Sequence, residues 1–391
     1  MPYRPFKKLR LSASKITTYK GCPLAYFLKY VEHVNVAEDV RAVFGKVIHS
    51  MLDKFYELNF KSADSFAGAW RFNWFRACSG ETLTGKRKEI FKINEYPLSN
   101  GTIRLGTHVK FCKPNSDADP VGIFFGYMKL GENILKGFYE QFKDRPPPIL
   151  REAAFEVNIK GNHRNHNVIV IYDRIDLKNG LPIIGDYKTD KTSPEESPEE
   201  KAFQLHRHPQ FTLYSLAFRQ LIKEGRLKGI IPEGIEKEAG IWYYHLRSGK
   251  IFQTMRSEKD YEYILNLLED VTEGILSQKF TPFYGFHCSM CDYQAPCEQY
   301  SVCYGGPRID LEGRIKVPKQ ISWDDDIEEL WNPSQELNSF YNKTESTKEK
   351  YPRDKNGQMY FEFMRPQKLQ LPETKKENVY VQRRFKWPKQ K

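Results

Sequence analysis

The 391-residue sequence contains no run of eighteen apolar residues, so it predicts no membrane span. It has no acidic residue before Glu32, and its first thirty residues are basic, which is the composition of a transit peptide. Against that reading, Ser12–Tyr30 already carries the signals of folded structure. Its cysteines number only seven and are unevenly spaced, which excludes a secreted disulfide scaffold at this length. Internal repeats are absent. A nucleotide motor is excluded as well. Gly80–Arg87, GETLTGKR, fits the phosphate-loop pattern G-x-x-x-x-G-K, but Arg87 replaces the hydroxyl residue that binds Mg²⁺ and no apolar strand precedes it.

What is present begins with charge. The formal net charge is +11, which predicts an anionic partner, nucleic acid first. Aromatic residues at 14% suit base stacking and core packing equally. Leu11–Val34 predicts a helix capped by Ser12 or Ser14, a break at Gly21-Cys22-Pro23, and a second helix with Pro23 in its first turn. Val40–Phe60 has Val47, Ile48, Met51, Leu52 and Phe55 at helical spacing. Further helices are predicted at Ser62–Ala77, Val121–Phe142, Ala202–Glu224 and Ser257–Gln278, with a hairpin near Asn100-Gly101. Leu150–Ile159 reads as a strand, and Ala239–Leu246 with Lys250–Met255 as a hairpin. Thr189–Glu200 reads as a polar loop. After about Gly306 the apolar pattern fails, and residues 351–391 hold eleven Lys/Arg against four Asp/Glu. This predicts a charged, basic-ended tail over 306–391, disordered in part or ordered by contact with nucleic acid or protein.

The chemistry concentrates in Val168–Lys188, VIVIYDRIDLKNGLPIIGDYK. The stretch predicts two strands joined at Lys178-Asn179-Gly180, with a glycine where positive φ is needed. Asp173 and Asp176 lie near the end of the first strand. Asp186 and Lys188 lie two apart on the second, so they share a face. Charges on strands this apolar are costly unless a metal or a substrate uses them. Hydrolysis of a phosphodiester needs charge neutralisation at the phosphate and a deprotonated water, and Mg²⁺ or Mn²⁺ on carboxylates supplies both. Asp173 and Asp186 are the candidate ligands, and the Tyr187 carbonyl is a third. Lys188 would orient or help deprotonate the attacking water and stabilise the pentavalent phosphate. By pattern alone Asp176 competes with Asp173. Gln210 and Tyr214 share a helical face, where they could bond a phosphate or position Lys188; the alternative is a tyrosine packed on the sheet with its hydroxyl in solvent. His206 and His208 carry no catalytic claim. His49, a lone histidine on an amphipathic helix, acquires no role from its own surroundings.

The remaining constellation is Cys288-x2-Cys291-x5-Cys297, which has metal-ligand spacing and needs a fourth thiolate. Cys22 and Cys303 are the candidates, and zinc and an iron–sulfur cluster both accept four thiolates. A cluster closed by Cys22 would staple the two ends of the domain and have no catalytic part. The preference for a metal over disulfides places the chain in an intracellular, reducing compartment: cytoplasmic in a prokaryotic or phage setting, nuclear or mitochondrial in a eukaryotic one.

Taken in order, these pieces resemble the RecB/AddB-type nucleases of the PD-(D/E)xK superfamily, and among them the iron–sulfur members: the AddB nuclease domain, the CRISPR-associated cysteine-cluster exonucleases and eukaryotic exonuclease V. SASKITTYKGCPLAYFLKYV resembles the opening helix with its Cys-Pro, and FGKVIHSMLDKFY the G-x-x-x-H helix. YDRIDLKNGLPIIGDYKTD resembles the catalytic hairpin, and HPQFTLYSLAF the Q-x-x-x-Y helix. The resemblance covers about residues 10–303. It implies His49 as a metal ligand, Asp173 over Asp176, catalytic roles for Asp173, Asp186, Lys188, Gln210 and Tyr214, and a cluster of the 4Fe-4S type on Cys22, Cys288, Cys291 and Cys297. Val170 replaces a glycine that the family often has before the first aspartate, which removes no ligand. Glu152 or Glu156 matches the acidic residue of the preceding strand. The expected architecture is α/β: a small mixed sheet flanked by helices, like the core of restriction endonucleases, with an N-terminal helical region and a C-terminal iron–sulfur segment. Residues 1–305 form the expected nuclease domain, with helices over about 40–148, the catalytic core over about 149–280 and the cysteines in 285–303. The implied reaction is Mg²⁺- or Mn²⁺-dependent hydrolysis of DNA, exonucleolytic on ends or single strands, in recombination, repair or DNA processing. A helicase or recombination partner goes with it. The competing reading is a non-catalytic nucleic-acid-binding subunit that keeps the fold for structure.

Overall fold

The structure, a computed structural model, describes residues 9–297 except 82, 100, 113–117, 192–197, 286, 289 and 290. The expected tail over 306–391 and Cys303 lie outside the described residues. Those residues divide into two compact units, one of 9–36 with 144–297 and the other of 37–143.

The chain opens with α1 (Ala13–Gly21), capped by the Ser12 hydroxyl, which accepts from the Lys15 N–H. Cys22 ends it in extended conformation, and Pro23 starts α2 (Pro23–Tyr26), which runs into a π-helical turn, Phe27–Val31. The second unit follows. It holds β1 (Glu38–Asp39), α3 (Val40–Leu58), α4 (Ala63–Ser79), α5 (Lys86–Ile90), the hairpin β2 (Ile93–Leu98) and β3 (Gly101–Gly106), β4 (Val109–Lys110) and α6 (Pro120–Phe142). Asp39 caps α3, a Ser62–Ser65 capping box starts α4, and Asp119 with Pro120 starts α6. Trp70 and Trp74 of α4, both fully buried, stack 5.6 Å apart and donate their indole N–H groups to the Met128 and Phe124 carbonyls of α6. Two large rings are thus packed without leaving a polar atom unmet.

The first unit then resumes with β5 (Leu150–Lys160), β6 (Asn165–Lys178), β7 (Leu181–Lys188), α7 (Pro198–Arg207), α8 (Pro209–Lys223), β8 (Gly240–His245), β9 (Lys250–Thr254) and α9 (Glu258–Leu276). The strands form one sheet in the order β5-β6-β7-β8-β9, with β7 and β8 parallel and the other neighbours antiparallel. The protein is therefore mixed α/β. Its core joins Val157, Val168, Val170, Tyr172, Ile184 and Ile241 of the sheet to Phe211, Leu213 and Phe218 of α8 and Ile264, Leu268 and Val271 of α9. The first residues belong to this core. Leu11 exchanges backbone hydrogen bonds with Asn167 and Ile169, and Tyr19 donates its hydroxyl to the Lys279 carbonyl at 2.7 Å.

The β6–β7 turn has both Asn179 (φ 53°) and Gly180 (φ 77°) in the left-handed region, the two-residue geometry that suits strand twist. One expectation fails. The continuous helix predicted over Ala202–Glu224 is two helices, and the first begins inside the expected loop, at Pro198. Pro209 lacks the N–H a continuing helix needs and disfavours helical geometry at His208. His208 is extended and caps α8 by accepting from the Gln210 N–H. The side chain at 208 therefore serves the backbone.

Gly185 lies opposite Arg174 across β6–β7. A Cβ there would overlap the Cγ of Arg174 and come within 2.8 Å of Cε2 of Tyr244. Arg174 is only 2% exposed and cannot swing aside. Gly185→Ala is expected to lower stability by about 1–3 kcal/mol, the usual cost of overpacking. Urea unfolding followed by circular dichroism checks it, and an unchanged midpoint would refute the close approach.

Candidate active site

The site is built on the middle of the sheet. Arg174 pairs with Gly185, so the next step of the register sets Asp173 and Asp186 at one level on adjacent strands. Both carboxylates are buried, Asp173 at 8% exposure and Asp186 at 1%. The Tyr187 N–H donates to Asp173 Oδ2 at 2.8 Å, which fixes that carboxylate against β7. Lys188 Nζ lies 2.5 Å from Asp186 Oδ2. Burial disfavours the charge of Lys188, but Asp186 and Asp173 outweigh it and hold its pKa above the ordinary lysine value. The ammonium persists at neutral pH, on a side chain that is 29% exposed.

From α8, Gln210 reaches across this pair. Its Nε2 donates to Asp186 Oδ1 at 2.8 Å and to the Tyr214 hydroxyl at 3.0 Å, and its Oε1 accepts from Lys188 Nζ at 3.5 Å. One carboxamide thus serves the carboxylate and the ammonium at once, and Tyr214 is the second acceptor for its NH₂ group. Tyr214 is packed edge-on against Tyr172, whose hydroxyl donates to the Tyr214 carbonyl at 2.9 Å. Asp173, Asp186, Lys188, Gln210 and Tyr214 therefore occupy one place. His49 lies on α3 of the helical unit, half-buried.

Geometry bears on two choices that the residues alone leave open. Asp176 is committed elsewhere: Arg174 forks onto both its oxygens at 2.7 and 2.5 Å, and the Tyr244 hydroxyl donates to Oδ2 at 3.0 Å. Asp173 is thus the carboxylate that faces Asp186. On β5, Arg151 pairs with Arg174 and Ala153 with Tyr172, so Glu152 stands opposite Asp173, while Glu156 stands opposite Ile169 and meets Arg10 at 3.4 Å. Glu152 has φ 43°, uncommon for a residue with a Cβ, and carboxylate oxygens of Glu152 and Asp173 lie within 4.8 Å of each other. Opposed carboxylate oxygens are hard donors, the set that Mg²⁺ or Mn²⁺ takes.

Sequence reasoning missed the surroundings of Asp190. The Tyr243 hydroxyl donates to Asp190 Oδ1, and Lys201 Nζ donates to Oδ2 at 3.1 Å. Burial raises the Asp190 pKa, but these two donors outweigh it and hold it below the ordinary value. The available signal was position, since Asp190 lies two residues beyond Lys188. Next to α8, burial first and then the charges of Lys188 and Arg256 push the His208 pKa down to about 4. The cap is therefore a neutral imidazole over the physiological range, as an acceptor of the Gln210 N–H must be.

Cys22, Cys288, Cys291 and Cys297 belong to the same unit, and Cys22 and Cys288 both act on Cys291. None of these four is in a disulfide. Backbone N–H groups point at three of the sulfurs: Phe283 to Cys22 at 3.5 Å, Gly285 to Cys288 at 3.4 Å and Tyr293 to Cys291 at 3.4 Å. Burial, followed by the charges of Cys22 and Cys288, raises the Cys291 pKa, against the pull of the Tyr293 N–H. N–H donors to sulfur are what a thiolate-bound centre uses.

Compared with known families, the chain matches a model described as the PD-(D/E)XK nuclease superfamily over residues 10–298. No curated protein matches it. Among solved structures, one titled "Crystal structure of SSO0001" is similar at 16% identity over 46% of this chain and 71% of that one, with a TM-score of 0.26, which carries no argument here.

Proposed function

The chain belongs to the PD-(D/E)XK nuclease superfamily, and from that premise we propose that it is a Mg²⁺- or Mn²⁺-dependent deoxyribonuclease. The single observation that carries the reading is the joint placement of Asp173, Asp186, Lys188 and Gln210, with two buried carboxylates facing each other and an ammonium bonded beside them. Asp173, Asp186 and the Tyr187 carbonyl would hold the ion, with Glu152 beside them and His49 added by the family resemblance. A divalent ion there supplies charge neutralisation at the phosphate and an acidified water. The protein's own groups do the remainder. Lys188 places a fixed positive charge where the pentavalent phosphate gathers negative charge, and it orients the attacking water. Gln210 bonds both members of the Asp186–Lys188 pair and so fixes its orientation, and Tyr214 sets which way its amide faces. The net charge of +11 supports a nucleic-acid backbone as substrate, with binding that weakens as salt rises.

By its resemblance to RecB/AddB-type iron–sulfur nucleases, the reading extends to an exonuclease of DNA ends or single strands in recombination or repair. It includes a helicase or recombination partner and a basic tail that contacts nucleic acid or protein. Cys22, Cys288, Cys291 and Cys297 are proposed to carry a cluster of the 4Fe-4S type as a structural staple, and cysteines used for a metal centre suit a reducing intracellular compartment. Among the described residues no helix is long and apolar enough to cross a membrane.

The test is cleavage of 5′- and 3′-labelled single- and double-stranded DNA with Mg²⁺, with Mn²⁺ and with EDTA. Metal-dependent hydrolysis is expected, and a ladder shrinking from one end identifies an exonuclease. Binding without cleavage in either metal would favour the non-catalytic subunit.

A further inference from the structure

The chain leaves the site at Lys188 and re-enters it at Gln210, whose side chains meet at 3.5 Å. What lies between is anchored at both ends. Three successive carbonyls at the end of β7 are each bonded by the neighbouring hairpin: Lys188 O accepts from the Leu246 N–H at 2.9 Å, Thr189 O from Arg247 Nε at 2.8 Å, and Asp190 O from His245 Nε2 at 2.7 Å. A carbonyl only accepts, so His245 carries its proton on Nε2, and its Nδ1 accepts from the Ser248 hydroxyl at 2.7 Å. Lys188 pairs with His245 across β7–β8, so this hairpin holds both the catalytic strand and its exit.

The other anchor crosses to α7. Lys201 is only 6% exposed, and its ammonium bonds Asp190 Oδ2 while lying 5.2 Å from the centre of the Tyr243 ring. Further along α7, Arg256 donates to the Leu205 carbonyl at 2.9 Å, and the chain then turns at His208 into α8 and Gln210. A buried ammonium is tolerated only while it is paired, so the Asp190–Lys201 contact fixes α7 against the end of β7.

We propose that Asp190 and Lys201 are positioning residues that close the segment between Lys188 and Gln210 and so hold both side chains in register with Asp186. The inference rests on the nuclease reading above. Neither residue contacts the reacting phosphate: the Asp190 carboxylate is taken up by Tyr243 and Lys201, and Lys201 is too enclosed to meet a nucleic-acid backbone. Their effect passes through Lys188 and Gln210, where a misplacement of about 1 Å costs up to about 10²-fold in rate.

The experiment measures kcat and KM for Mg²⁺-dependent cleavage of end-labelled DNA by the full chain. It compares the wild type with Asp190→Asn, Lys201→Met, the double variant and Lys201→Arg, and follows the folded fraction of each by circular dichroism at the assay temperature. Each single neutral variant is expected to lower kcat by about tenfold or more with KM within about twofold. The double variant should be no worse than the poorer single one, because both remove the same contact. Lys201→Arg, which keeps the charge, should recover part of the loss. Unchanged kcat in both neutral variants overturns the inference, as does a rise in KM at constant kcat, which would make Lys201 a DNA contact. Loss of activity that follows the folded fraction also overturns it. If the wild type fails to cleave, the nuclease reading falls and this inference with it. Wild-type cleavage with unaffected variants brings down this inference alone.

Discussion

Replacing Lys188 by alanine is expected to lower kcat for metal-dependent DNA cleavage by about 10²–10³-fold, the usual loss when one preorganised group facing transition-state charge is removed. The expectation follows from the placement of Nζ, 2.5 Å from Asp186 and within bonding distance of Gln210, on a side chain that is still 29% exposed. DNA affinity should change little, because the substitution removes one of 61 Lys/Arg side chains and binding draws on the wider positive charge. Fluorescence anisotropy across a salt series should therefore give parallel lines for wild type and variant, while cleavage at saturating DNA collapses. The variant also leaves Asp186 buried without its cation, so melting should fall and the assay belongs well below the new midpoint. Lys188→Met, which keeps the length of the stem, separates the charge from the packing. Wild-type kcat in both variants would sink the mechanism.

Much of this site was legible because its spacing is local. Asp186 and Lys188 lie two apart on an apolar strand, Gln210 and Tyr214 lie four apart on a helix, and Asn179-Gly180 declares its turn. These periods are set by backbone geometry, so they survive into the fold. The apolar run of β6 marks a central strand for the same reason. What could not be read depends on register between distant segments. Glu152 and Glu156 share a face of β5 at period two, and only the pairing of β5 with β6 shows which of them meets Asp173. By pattern alone Asp176 competed with Asp173, and the preference for Asp173 came from the family resemblance; in the fold Arg174 forks onto both Asp176 oxygens. The break at His208 was legible from Pro209 but was outweighed by the apolar period on either side of it. Lys201 gave no signal at all, since a lysine in a polar stretch predicts a solvated surface, whereas this one is enclosed by Asp190 and Tyr243.

The largest stability effect is expected at Cys22. In the proposed four-thiolate centre, Cys22 is the ligand far from the others in sequence, and its sulfur already receives the Phe283 N–H next to the segment that holds Cys288 and Cys291. A centre bridging residue 22 to residues 288–297 closes a loop of most of the folded chain. In the chain-entropy model, restricting a loop of that length stabilises the fold by about 5 kcal/mol. Packing alone holds the same ends less firmly, through Tyr19 on the Lys279 carbonyl and Tyr26 stacked 6.2 Å from Phe280. Anaerobically prepared wild type should be brown and carry about four irons per chain. Cys22→Ala should lose the colour and most of the iron, and its thermal unfolding should shift far below that of the wild type. Cys78→Ala is the control for iron content, because that thiol is fully buried in α4 of the other unit and its pKa is raised by burial, which keeps it protonated. Stoichiometric zinc without iron in the wild type would refute the iron–sulfur assignment. Full iron in Cys22→Ala would remove Cys22 from the ligand set and leave Cys303 to be replaced next. Activity adds a separate reading. A staple acts on folding alone, so at low temperature, where Cys22→Ala remains folded, its kcat per folded molecule should equal that of the wild type.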